Sequence, residues 1–178
     1  SLQWPTCAVS KTWICRPLPS SLTTTTWKAA FTPAGGSTPL IAGRSRIEEL
    51  FLSGDRRRYY VPCPHCGHMD YIQWRIGGLS GKEGKHHSIA WDEGDPKSAH
   101  MLCGGCDGKV EEYHKDKMLA AGEWRPTAEG DGIIRGYHLP SMYSPLGWKS
   151  WESLVRKFLQ TIGSPSDLKS FVNTTLAE

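Results

Sequence analysis

The 178-residue sequence predicts an α+β fold, and three observations carry that prediction. Two Cys-x-x-C pairs, Cys63/Cys66 and Cys103/Cys106, bracket a stretch of short strand-forming runs. A further strand-forming run, "RRYYVP", leads directly into the first pair. Two amphipathic helical patterns then follow near the C-terminal end.

Taken in order, residues 1–36 hold Trp4, Trp13 and Trp27, a threonine run and scattered prolines, but no helical or alternating period. They read as a poorly ordered flank. Regular pattern starts with "GRSRIEELF", where Ser45 and Glu48 have capping-box spacing, so a short helix is expected over about 46–52. "RRYYVP" is a strand closed by Pro62. Between the cysteine pairs, "DYIQW", "SIAW" and "AHML" are short strands separated by "GGLSGKEGKHH" and "DEGDP". They are expected to form a small antiparallel sheet. "KVEEYHKDKMLAAG" favours a helix, with Glu111 and Lys115 at i, i+4 and Gly122 as its stop. "GIIRGYHLPSMYSP" reads as a buried strand running into a loop.

"SWESLVRKFLQTIG" is the clearest helix. Ser150 can cap it, and Trp151, Leu154, Val155, Phe158, Leu159 and Ile162 share one stripe. Ser166 is the expected cap of a second helix, whose apolar face is Leu168, Phe171, Val172 and Leu176. These stripes read as core packing, although Trp148, Trp151 and Phe158 together would also suit a partner-docking face.

Charge narrows the functional classes. Residues 1–46 hold five basic groups and no acid, while the remaining residues hold 16 basic and 18 acidic groups, a net charge near −2. A slightly acidic body is a poor free-standing nucleic-acid binder, because phosphate neutralisation supplies most of that affinity. No run of about 18 apolar residues is present to span a membrane. With no secretory leader in sight, the chain reads as an intracellular fragment of a longer protein.

The cysteine spacing points to a metal. Each C-x-x-C turn presents two thiolates to one side, and four sulfurs close a tetrahedral site, so Cys63, Cys66, Cys103 and Cys106 are candidate ligands for structural zinc. Reduced structural or redox-active thiols are the alternative. A site of four thiolates leaves no open position for an activated water. Gly67 follows Cys66 and Gly108 lies just past Cys106, where such a knuckle can need positive φ, while Asp107 holds a place where the second knuckle often has Gly, and Asp tolerates that conformation better than most residues. His65, His68, His86, His87 and His100 are neighbouring ligand types, expected to be exposed while four cysteines suffice.

Arg56, Arg57 and Arg58 precede Tyr59 and Tyr60. Arginines can hold phosphates while tyrosines stack bases. Alternation along a strand splits these side chains between two faces, however, and an edge strand guarded by arginines is the preferred reading. No phosphate-binding G-x-x-x-x-G-K-[ST] loop is present.

The stretches "GGSTPLIAGRSRIEELFLSGDRRRYYVPCPHCGHMDYIQW", "MLCGGCDGKVEEYHKDKMLAAGEWRP", "GYHLPSMYSPLGWKSWESLVRKF" and "DLKSFVNTTLAE" together resemble the phage terminase large subunit of the GpA (lambda-like) family. The likeness covers about residues 36–178. It implies the C-terminal part of an α/β P-loop-type ATPase region at 37–62, a zinc-ribbon-like insert at 63–108, and a connector at 109–178 leading toward a nuclease domain. Residues 1–36 fall outside it.

In that family an ATPase drives DNA into procapsids and a nuclease cuts concatemers. The resemblance therefore implies ATP and Mg for the whole protein, double-stranded viral DNA as substrate, the terminase small subunit and portal as partners, and the host cytoplasm as location. Ser37 and Thr38 resemble the element that couples ATP hydrolysis to motion. This chain alone is expected neither to hydrolyse ATP nor to cleave DNA. A stand-alone zinc-ribbon module binding nucleic acid is the competing expectation.

Overall fold

A computed structural model describes residues 13–15, 46–74, 86–130 and 134–177. Strand β1 (Trp13–Cys15) is followed by helix α1 (Arg46–Ser53), then β2 (Arg57–Pro62), β3 (Met69–Trp74), β4 (His87–Asp92), β5 (Asp95–Leu102) and β6 (Lys109–Val110). A 3-10 turn (Glu112–His114), α2 (Lys115–Ala120), β7 (Glu123–Arg125) and β8 (Arg135–His138) come next. A second 3-10 turn (Ser141–Tyr143), α3 (Trp151–Thr161), α4 (Pro165–Phe171) and a π-helical turn (Val172–Leu176) complete the described chain. Ser45 lies outside the described residues, so the capping box does too.

The strands form one path, β1-β8-β2-β3-β4-β5-β6, with β7 also pairing β2. The mixed α/β architecture with C-terminal helices agrees with expectation, but the small sheet is not purely antiparallel. β3 and β4 pair in parallel, Ile72 with His87 through Trp74 with Ile89. The reason is connection length: 12 residues separate Trp74 from His87, enough for the chain to return before pairing, as a parallel crossover demands. β2 and β8 are also parallel, whereas β4 and β5 form an antiparallel hairpin.

The core lies where α3 and α4 cover the β3–β4–β5 face. Phe158 and Phe171 pack with Trp74 and Trp91, ring centroids 5.4 to 5.6 Å apart, distances at which aromatic pairs gain beyond simple area burial. Trp151 is fully buried, and its indole N–H donates to Met142 O at 3.0 Å. Burial of Trp151 and Phe158 removes the docking face; only Trp148 stays open, at 71 % exposed. The Ser150 side chain accepts from Ser153 N at 3.1 Å, as expected of a cap. Ile162 leaves the stripe: α3 ends at Thr161, Ile162 is extended at ψ 124, and its side chain is exposed. The cap of α4 is Ser164 rather than Ser166, because Pro165 takes the first helical position, where its missing N–H costs nothing.

The helix expected from "KVEEYHKDKMLAAG" is shorter. Lys109 and Val110 continue the sheet opposite Met101 and Leu102, with Val110 fully buried, so helix begins only at α2. The expected Glu111–Lys115 pair is replaced by Glu112–Lys115 at 3.0 Å. Nor is Gly122 a left-handed stop. Its role is close approach: a Cβ there would lie 2.6 Å from Tyr59 Cε1 and 2.8 Å from Tyr60 O. Tyr59 cannot swing away, since its hydroxyl donates to Leu119 O at 2.7 Å and its ring meets Trp124. Gly122→Ala is therefore expected to lower stability by about 1–3 kcal/mol, the cost of overpacking, read as a lower urea midpoint at unchanged slope.

Candidate metal centre

Two turns of the same build face each other across the sheet. In the first, Cys63 N donates to His68 O at 2.9 Å and Gly67 N to Cys63 O at 2.9 Å. In the second, Cys103 N donates to Gly108 O at 3.1 Å and Asp107 N to Cys103 O at 3.0 Å. The residue four places after each leading cysteine has positive φ, Gly67 at 73° and Asp107 at 53°, so Asp107 adopts the conformation expected of it, whereas Gly108, one place later, does not have positive φ. β2 delivers the first turn and β5 the second, and β3 and β6 carry the chain away.

All four sulfurs lie within 4.8 Å of one another, with Cys66 Sγ and Cys103 Sγ 3.6 Å apart. Four ligands at about 2.3 Å from one tetrahedral ion have sulfurs nearly 4 Å apart, so the donor set fits a metal. Cys63 and Cys103 are buried and Cys66 and Cys106 exposed, which seats one edge of the cluster in the core and opens the other to water.

The surroundings suit thiolates. The amides of His65 and Gly105 point at Cys63 Sγ and Cys103 Sγ, at 3.4 and 3.3 Å, and such outer hydrogen bonds orient metal ligands. A backbone hydrogen bond at His68 pulls Cys66 below the ordinary thiol range. Burial pushes Cys103 up to about 12. Cys66 and Cys103 therefore hold their protons unequally, and a divalent cation would displace thiol protons on binding.

The histidines depart from expectation. His65 and His68 are exposed, but His87 and His100 are buried and His86 is half-buried. Their ring nitrogens have other partners, which is why they do not join the cluster. His87 Nδ1 accepts from Gly104 N at 3.1 Å, so its Nε2 carries the proton and donates to Val61 O at 3.2 Å. Burial lowers its pKa and keeps it neutral. His87 thus ties the second turn to the strand leading into the first. His86 Nδ1 donates to both carboxylate oxygens of buried Asp70, at 3.0 and 2.9 Å, and His100 Nδ1 to Ser98 O at 2.6 Å. An isolated histidine in a sequence gives no sign of such partners.

Each arginine of "RRRYY" is engaged within the chain. Arg56 turns back on α1, donating from Nε and Nη2 to Leu52 O at 3.0 and 2.7 Å. Arg57 pairs with Asp55 at 2.6 Å. Arg58 lies 4.7 Å over the Tyr71 ring, a cation–π geometry. Tyr59 is buried and Tyr60 half-buried, as strand alternation requires. Ser37 and Thr38 lie outside the described residues.

Residues 21–124 match the family model of the phage terminase large subunit gpA ATPase domain, and residues 134–178 that of the terminase large subunit gpA endonuclease domain. The first match begins inside the flank set off at residues 1–36. The large terminase subunit of Enterobacteria phage P21 is 31% identical over 162 residues, and that of Escherichia phage lambda 28% identical over 160. Either alignment covers 80% of this chain but 24% of the relative, so the chain spans about a quarter of the relatives' length. No solved structure matches. With the ATPase-domain match alone covering more than half of its length, the chain belongs to the phage terminase large subunit gpA family.

Proposed function

We propose that this chain is the part of a terminase large subunit that joins its motor side to its nuclease side, and that a structural zinc ion folds it. The observation carrying this reading is the convergence of four cysteine sulfurs within 4.8 Å, in a chain whose successive segments match the ATPase and endonuclease families. Four thiolates fit zinc and leave no position for activated water, so the ion stabilises structure. Residues 63–108 act as the ribbon-like insert, 37–62 as the end of the ATPase-like region and 109–178 as the connector. Residues 1–20 stand apart from this division, while 21–36 lie inside the ATPase-domain match.

The whole protein would use ATP and Mg to drive double-stranded viral DNA into procapsids and cut concatemers, working with the small subunit and portal in the host cytoplasm. Ser37 and Thr38 would couple hydrolysis to movement. The chain by itself lacks a phosphate-binding loop, so its expected ATP turnover and DNA cleavage are at background. Robust turnover that disappears on Thr38→Ala would overturn the division proposed here.

A free-standing DNA-binding module using Arg56, Arg57 and Arg58 has less support. Asp55 neutralises Arg57 and Leu52 O holds Arg56. Among the described residues only Arg58 of the three offers a guanidinium without a carboxylate or carbonyl partner. Salt-dependent DNA binding abolished by replacing all three with alanine would favour that module.

A further inference from the structure

We propose that the Tyr143 hydroxyl pins a fork in the sheet, making the cysteine-bearing β2–β3 hairpin and the endonuclease-matched segment one mechanical unit. β2 and β3 pair antiparallel at Tyr60 with Tyr71, Val61 with Asp70 and Pro62 with Met69. The next ladder position would join Tyr59 to Ile72. There the strands part: on that edge of β2 the next partner is β8, at Arg58 with His138, and Ile72 pairs His87 of β4. Tyr143 fills the opening. Its oxygen accepts from Ile72 N at 2.6 Å and its O–H donates to Tyr59 O at 2.8 Å.

The hydroxyl thus replaces one rung of the ladder. Without it, the Ile72 N–H and the Tyr59 carbonyl would each lose this bond inside the protein, and losing a bond at a buried group costs more than an ordinary hydrogen bond gains. The ring is buried and meets Tyr59 edge-on at 5.9 Å, so the hydroxyl is held in place. Burial raises its pKa, which keeps it a donor at any working pH.

The position of this rung gives it reach. From Tyr59 the chain runs along β2 into Cys63, and from Cys66 it returns along β3 to Ile72. The fork is the open end of the hairpin whose tip is the first metal turn. Tyr143 comes from the other family match, just ahead of α3. Order at the metal turn holds the fork, the fork holds Tyr143, and Tyr143 holds the approach to α3. Coupling requires such an element to have two arrangements that both ends bias; here they are the closed rung and the parted strands. Motion on the nuclease side would pass into the cysteine hairpin through this contact, rather than being absorbed between the two segments.

The metal part of this inference rests on the zinc reading above, and one experiment separates them. Hydrogen exchange of the whole chain is followed by mass spectrometry with zinc and after chelation, for the natural sequence, Tyr143→Phe and the control Tyr137→Phe. In the natural chain, chelation should speed exchange at residues 141–161 as well as at the cysteine turns. Tyr143→Phe should keep one zinc per chain but bind it about 10-fold more weakly, the scale set by losing one buried hydrogen bond. Exchange at 59–62 and 69–74 should rise, and chelation should no longer reach 141–161. Tyr137→Phe should behave as the natural chain.

Unchanged zinc affinity and unchanged exchange at 59–74 in Tyr143→Phe would overturn the pin. So would a natural chain whose residues 141–161 ignore chelation, a result that needs no variant to fold. A natural chain that binds no zinc would defeat the metal reading while leaving the 59–74 comparison to decide the pin.

Discussion

Replacing Cys103 with serine will reduce bound zinc from about one ion per chain to nearly none, measured by elemental analysis after dialysis at pH 7. Cys103 is one of the two buried cysteines of the cluster, its sulfur stands 3.6 Å from that of Cys66, and Gly105 N points at it. A serine hydroxyl does not ionise near neutral pH and is a poor zinc ligand. It would also place an oxygen where the core sits against sulfur. Structural zinc contributes about 10–16 kcal/mol of binding free energy in small finger peptides, comparable to the whole stability of a domain, about 5–15 kcal/mol.

This chain also has an aromatic core away from the cysteines, so loss of the ion should melt the two turns and lower the unfolding temperature without erasing α3 and α4. His65→Ala and His68→Ala should keep the full ion content, because neither ring is among the clustered ligands. Undiminished zinc in Cys103→Ser would sink the four-cysteine assignment.

Parts of this arrangement were legible in the sequence for physical reasons. C-x-x-C spacing is a local constraint, so both turns could be read from it, along with the positive φ at Asp107. α3 was readable because its apolar residues repeat at helical spacing, and its Ser150 cap is local as well. What escaped was set by partners distant in sequence. Val110 favours a strand only because β5 lies beside it, with Met101 opposite. Gly122 reads as a helix stop until Tyr59 is placed against it. His87 and Tyr143 have no local pattern at all, since their bonds reach Val61, Gly104, Tyr59 and Ile72. Parallel pairing of β3 and β4 depends on the length of a connection whose residues carry no pairing pattern of their own.

Glu112→Gln is expected to cost about 3 kcal/mol at pH 7, toward the low end for breaking a buried ion pair because the Glu112 side chain is 21% exposed. Its partner Lys115 is 1% exposed. Among the described residues the ammonium has Glu112 Oε1 at 3.0 Å, Lys149 O at 3.2 Å and, at 5.1 Å, the ring of Trp151 as partners, with Asp116 adding a weaker electrostatic attraction. Glu112 Oε1 also accepts from Trp151 N at 2.9 Å, so one carboxylate neutralises the lysine and helps to cap α3. Glutamine keeps an acceptor for the cap but removes the countercharge.

The pH dependence separates these two effects. Burial lowers the pKa of Lys115 below 10.5, and Glu112 partly opposes that shift. Between the folded value and the ordinary one, the unfolded chain binds the additional proton, so stability rises with pH across that window. Removing Glu112 takes the folded value lower and starts the rise at a lower pH. The penalty of Glu112→Gln should therefore shrink as pH climbs toward 10.5, measured by urea unfolding at pH 7 and at higher pH. Adding Lys115→Met should recover most of the loss at pH 7, since an apolar side chain of similar length needs no countercharge. A penalty independent of pH and not relieved by Lys115→Met would overturn the role of Glu112 in holding the buried charge.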